Sequence, residues 1–191
     1  LRGLTVLSIE ARGRSDDVFV YLPSLGRVRR VSMSRRSDSF LGSDLTYEDF
    51  DRQRAEDYWI ALLTRELVGG EPAHVITARP KDLETYQRVS FAAAVSDLAI
   101  LELRYYKAGD AQAFRIVRFP RASIRRLGGN LIPTRIHVAN AIRGSETDVE
   151  ISELEVNPEI DERLFSIVTL RAERQLDSVK DARNRTPPNT P

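Results

Sequence analysis

The chain contains no cysteine, and in 191 residues it has a single methionine, a single tryptophan and two histidines. The absence of cysteine excludes disulfides, thiolate nucleophiles and Cys-ligated zinc, although it names no compartment. His74 and His137 stand far apart with no HxxxH or HxH spacing, so each reads as an ordinary strand residue and no metal site is expected. No GxSxG and no GxxxxGK[ST] occurs. Gly69-Gly70 and Gly128-Gly129 lack the strand-to-helix context of a phosphate cradle and read as hairpin turns. No run approaches the roughly 18 apolar residues of a membrane span. Charge of one sign is missing too: 29 basic and 28 acidic residues leave a net charge of +1, which gives no field for nucleic acid. These absences point away from an enzyme, with no catalytic residue and no cofactor expected.

What is present is strand. In Thr5–Arg12 apolar and polar residues alternate, the period-2 signature of a half-buried strand. Val18–Leu22, the turn Pro23-Ser24-Leu25-Gly26 and Arg27–Val31 form a hairpin. Residues 72–80, 86–95, 98–107, 112–119, 131–142 and 145–156 continue the pattern between short turn signals, which indicates an antiparallel meander. The apolar parity flips within the last of these, so a bulge is expected near Ser152-Glu153. Asn157-Pro158-Glu159 reads as the start of a short helix carrying Leu164 and Phe165. Ala55–Val68 has helical spacing at Trp59, Leu62, Leu63 and Leu67, and propensity alone makes it a helix. About nine or ten strands in one domain over residues 1–176 are expected, a sheet long enough to curl. Residues 177–191 read as a polar, proline-rich and flexible tail.

Charge is segregated between Val28 and Phe50. Arg27, Arg29, Arg30, Arg35 and Arg36 come with no acid among them; Asp38, Asp44, Glu48, Asp49 and Asp51 follow with no base among them. Phe40-Leu41-Gly42-Ser43 lies between. Like-charge blocks repel when left alone, so the expectation is that the two fold onto each other across the Phe40–Gly42 pivot. Glu48 and Asp49 could serve a hydrolase, but beside so many arginines they should stay ionised, and salt-bridging is the better reading.

Large apolar residues fall on both faces of several strands: Phe19 and Tyr21 opposite Val18, Val20 and Leu22; Leu101, Leu103 and Tyr105 opposite Leu98 and Ile100. With Trp59, Phe91 and Phe114 they are candidates to line an apolar cavity for a greasy ligand. Helices or loops covering one side of the sheet would account for them equally well.

The run Val18–Val31 (VFVYLPSLGRVRRV) and then Ser39–Phe50 (SFLGSDLTYEDF) resembles the LolA-like outer-membrane lipoprotein-sorting proteins, and more closely the subgroup associated with RND/MMPL-type exporters. Ala78-Arg79-Pro80-Lys81, Tyr86–Val95, Gly129–Thr134 and Asn157–Leu170 resemble further elements of that pattern, so the similarity spans roughly residues 1–172. Thr77 stands where the family commonly has an acid. The resemblance implies a mainly β fold: a curved antiparallel sheet forming an incomplete barrel with a few short helices, in which Ala55–Val68 is a strand. It implies that the family's N-terminal helix and first strands precede the position of Leu1, with a signal peptide removed upstream. It also implies a non-enzymatic periplasmic carrier of lipoprotein acyl chains or other lipids, or else an adaptor that docks on an exporter. The segment holding Arg29, Arg30, Arg35, Arg36, Phe40, Gly42, Asp44, Tyr47, Glu48 and Asp49 is then the candidate gate or docking loop, with a fixed ion-paired strap as the alternative.

Overall fold

The protein is described by a computed structural model over residues 3–10, 16–32, 35, 37–50, 54–81 and 86–170. The chain forms two compact units, Leu1–Arg36 with Glu159–Pro191, and Ser37–Pro158. The expected tail lies outside the described residues.

The first unit holds β1 (Thr5–Ile9), β2 (Asp17–Leu22) and β3 (Arg27–Arg30) in the order β1-β2-β3. Both pairings are antiparallel, with Leu7 opposite Phe19 and Tyr21 opposite Val28. The hairpin turn is the expected one: Pro23–Leu25 is a 3-10 turn that ends at Gly26, whose φ of 60° a side chain would resist. Arg30 at the end of β3 binds the Asp17 carboxylate at the start of β2. Toward the C-terminus Glu162–Leu164 forms a 3-10 helix capped by Asp161, whose carboxylate accepts the Arg163 amide at 3.0 Å. This corrects the expected helix start at Asn157-Pro158. Asn157 takes a φ of 54°, a left-handed conformation that ends regular structure, and the cap falls to the next acid that can reach a free amide.

The second unit holds β4 (Tyr58–Val68), β5 (Glu71–Pro80), β6 (Arg88–Ala94), β7 (Ile100–Tyr106), β8 (Arg115–Arg118), β9 (Ile124–Leu127), β10 (Asn130–Pro133), β11 (Arg135–Asn140) and β12 (Ser145–Glu150). Seven of them form an antiparallel sheet in the order β12-β11-β8-β7-β6-β5-β4, and β9 and β10 form a separate hairpin across Gly128-Gly129. Ala55–Val68 is a 3-10 turn and then the edge strand β4. Pairing with β5 over ten residues decides against helical propensity, which is worth only tenths of a kcal/mol per residue.

Two boundaries differ from the periodicity. Residues 131–142 divide at Thr134, whose amide and hydroxyl both donate to the Ser123 carbonyl, each at 2.9 Å; β10 stays with the hairpin and β11 joins the sheet. Ile124–Leu127 is a strand that the alternation did not reveal. No bulge forms at Ser152-Glu153, because β12 ends at Glu150 and the Ile151 amide turns to the Thr134 carbonyl. The bulges lie between Ile60 and Leu62 and opposite Ala92-Ala93, where Leu101 is the extra residue.

The β6–β7 turn contains a strained position: Leu98 has a φ of 62° while two-thirds exposed. The left-handed conformation costs a non-glycine residue about 1–2 kcal/mol, more than glycine's added entropy. Leu98→Gly is therefore expected to stabilise the protein by about 0.5–1 kcal/mol, read as a raised urea midpoint at unchanged m-value.

Candidate functional site

Alternation along the strands of the seven-stranded sheet gives two unlike faces. On one, Ala78, Val89, Tyr105, Val117 and Val138 are buried in a single cluster with Tyr86. Leu45, Tyr58, Phe91, Leu103 and Phe114 pack against it. Tyr58 joins this group edge-on to Phe91 at 5.6 Å and through its hydroxyl to that of Tyr86 at 2.8 Å; Tyr86 lies edge-on to Tyr105 at 4.9 Å. Desolvation, and secondarily the Asp49 charge, push the Tyr105 hydroxyl well above its ordinary pKa, so it stays neutral.

Along one row of this face burial falls toward the free edge. The row runs Val138, Val117, Leu103, Phe91, Ile76, Leu63. Its first two members are buried, the next three are half-buried, and Leu63 is 62 % exposed. The neighbouring row ends at Ile60, 63 % exposed on the same edge strand.

The opposite face is built from small residues. Val68, Ala73, Val75, Ala92, Ala94 and Ala99 cluster with Leu101 beneath Ile124 and Leu131 of the β9–β10 hairpin. Beside them Glu102 is buried between Arg104 at 2.5 Å and Arg118 at 2.9 Å, and Arg104 also reaches Glu66 at 3.1 Å. Under the hairpin this face is packed, while Trp59 and Leu62 stay exposed at its β4 edge.

Four of the eight residues expected to line a cavity therefore come together: Phe91, Leu103, Tyr105 and Phe114. Leu101 goes to the opposite cluster because the bulge at Leu101 breaks its parity with Leu103. Trp59 lies exposed on β4 with the Lys81 ammonium 4.5 Å from its ring centroid. Phe19 and Tyr21 belong to the first unit, where Tyr21 is buried. Ile60, Leu63, Ile76 and Tyr58 also stand on this face, and placing them there requires the β4 bulge and the strand assignment together. A separate depression of about 500 Å³ lies at the ends of β8 and β11, bordered by Phe114, Ile116, Asn140 and Ser145.

Residues 39–50 lie as a strap over the β8, β11 and β12 side of the apolar face. Ser39 and Thr46 form an antiparallel bridge around the turn, with φ of 56° at Leu41 and 82° at Gly42, and Phe40 packs edge-on against Tyr47 and Phe50. Asp44 is buried; its carboxylate accepts the Ser145 hydroxyl at 2.6 Å and the Thr147 hydroxyl at 2.9 Å. Arg143 donates to the Gly42 and Ser43 carbonyls and to the Ser39 hydroxyl. Asp49 accepts the Thr46 amide at 2.6 Å and binds the buried Arg115 guanidinium. For Arg30, Asp44 and Asp49 the expected pairing of the two charge blocks thus gives way to other partners: Asp17, the β11–β12 region, and β8. Glu48 is half-buried, Arg29 and Arg35 are exposed, and Arg36 lies outside the described residues. His137 on β11 meets Asp148 at 2.9 Å, an ordinary cross-strand pair. Among the described residues no group of three His, Asp or Glu is placed to hold a metal.

A family model whose description reads "uncharacterized protein" matches residues 1–172. The chain belongs to that family. Its fold is LolA-like. An outer membrane lipoprotein-sorting protein domain from Vibrio parahaemolyticus is similar at a TM-score of 0.80 and 23 % identity, over 88 % of this chain and 72 % of that one. A DUF1329 family protein from Desulfovibrio piger is similar at 0.76 and 27 %, over 87 % and 70 %. A LolA superfamily protein from Nitrosomonas europaea is similar at 0.59 and 23 %, over 78 % and 66 %. No curated protein matches the sequence. The LolA-like fold accounts for a mainly β chain of open antiparallel sheets with few helices, and no helix among the described residues is long and apolar enough to cross a membrane.

Proposed function

We propose that this protein is a non-enzymatic periplasmic carrier of acyl chains, from lipoproteins or other lipids, and that the cargo lies on the apolar face between the strap and the free edge at β4. The observation that carries this reading is the burial gradient from Val138 to Leu63. A sheet face that serves only as core is covered across its width, whereas this one is closed by its own residues at one side and left open at the other. Each buried CH₂ contributes about 0.8 kcal/mol, so half-open floor under Leu103, Phe91 and Ile76 can hold a chain and still release it. The structural likeness to a lipoprotein-sorting domain supports the reading at the level of fold.

Native mass spectrometry after gentle purification, with lipid extraction, tests it. Co-purifying acyl species, or saturable uptake of a fluorescent fatty acid by the delipidated protein, is the expected result. Absence of both would refute the carrier role. The strap then acts as a fixed cover rather than a gate, since Asp44, Asp49 and Arg143 tie it at three places. A membrane exporter as the carrier's partner would use the exposed cations Arg29 and Arg35 of the first unit.

A further inference from the structure

One row of the apolar face is basic. Arg65 on β4 pairs across the sheet with His74 on β5, then Ala93 on β6 and Ile100 on β7. Alternation places these side chains on the same face as Leu63, Ile76, Phe91 and Leu103, one row nearer the β4–β5 turn. Beyond them the exposed Leu67, Pro72, Val95 and Leu98 continue the apolar surface to the turns. Neither Arg65 nor His74 makes a side-chain hydrogen bond or ion pair among the described residues.

Several charges near this row are held by partners, though among the described residues Arg79 on β5, exposed on the opposite face, is not. Glu66, the next residue on β4 and on the opposite face, is held by Arg104. At the nearby turns Arg121 bridges Glu71 and Asp97, and its hydrogen bonds hold the Asp97 carboxyl below the usual range. A charge on an edge strand is a common guard against unwanted strand pairing, and Arg65 alone would need no more explanation. Edge protection does not account for His74, which lies on an inner strand, half-buried, in the same row and on the same face.

We propose that Arg65, assisted by His74, binds the anionic headgroup of an acyl amphiphile whose chain lies along the rows from Leu63 and Ile76 toward Ile60 and Ala78. Ala78 lies four positions along β5 from His74, giving about 13 Å of mostly apolar floor beyond the head. The arginine fork matches a carboxylate or a phosphate oxygen pair, and a bond to a charged acceptor strengthens as the acyl chain excludes water around it. The inference rests on the carrier reading, and it narrows the cargo to lipids with a charged head.

The test is equilibrium binding of oleate, lysophosphatidate and the uncharged 1-monooleoylglycerol to delipidated wild-type protein, Arg65→Gln and Arg65→Lys. Wild type should bind at least one of the anionic lipids about tenfold more tightly than monooleoylglycerol; whichever anion is favoured identifies the head as carboxylate or phosphate. Arg65→Gln should remove that preference, and Arg65→Lys, which keeps the charge without the fork, should retain only part of it. Equal affinity for charged and neutral lipids in wild type, or a preference that survives Arg65→Gln, overturns the headgroup site while leaving the carrier standing. No binding of any of the three overturns the carrier itself. Arg65 is exposed, so folding is not at stake in either variant.

Discussion

Asp49→Ala is expected to destabilise the protein by about 3 kcal/mol, the largest effect of any single change in the strap. The Arg115 side chain is 7 % exposed, its Nε has no partner among the described residues, and its guanidinium depends on Asp49. Removing the carboxylate leaves an uncompensated buried cation and also frees the Thr46 amide and hydroxyl that Asp49 accepts. The double variant Asp49→Ala with Arg115→Met should recover most of the loss, because an apolar side chain of similar length packs against the Tyr105 ring without a charge to satisfy. Urea unfolding of the two single variants and the double variant gives the coupling directly. A cost below about 1 kcal/mol for Asp49→Ala would mean that water reaches Arg115 when the carboxylate is gone, and that the strap opens easily there.

That pair also illustrates how far the charge pattern could be read. A block of arginines followed by a block of acids signals ion pairing, but which cation meets which acid is decided by the sheet. Asp44 and Asp49 find Ser145, Thr147, Arg143 and Arg115, partners 66 to 103 positions away in sequence. Arg115 and Arg143 are single basic residues in otherwise unremarkable strand and turn sequence, and nothing local marks them as anchors. The strap motif itself, Phe40 to Phe50, was legible, because the φ-positive turn at Leu41-Gly42 and the aromatic contacts around it are local.

The sheet was legible for the same reason and failed where register intervened. Hairpins at Gly26, Gly69-Gly70 and Gly128-Gly129 announce themselves, since each needs a left-handed residue. Leu101 and Leu103 look equivalent in a period-2 reading, yet they enter different cores because one extra residue in β7 shifts the parity between them. Ala55–Val68 shows the converse: its spacing imitates a helix because a bulge after Ile60 offsets the apolar positions of a strand that is open on its free edge. A bulge leaves no composition signal of its own, so the apolar face it creates could be read only in part, through Phe91, Leu103, Tyr105 and Phe114.

The free edge of that face provides the sharpest separation of cargo binding from stability. Leu63→Glu is expected to leave folding within about 0.5 kcal/mol of wild type, since the side chain is mostly exposed and a charge on an edge strand is tolerated. The same change should weaken acyl-chain binding at least tenfold, because the bound chain would bury a carboxylate facing Ile76 and Phe91, and that carboxylate would compete with the cargo head for Arg65 on the same face. Leu62→Glu, one position along and on the opposite side of β4, serves as the control: equally exposed, equally charged and directed away from the strap face. If only Leu63→Glu loses ligand, the cargo lies on the same face as the strap, at its open side. If both lose it equally, the ligand wraps the edge of β4. If neither does, the exposed apolar residues of β4 serve a protein partner, and the burial gradient across the sheet has no part in carriage.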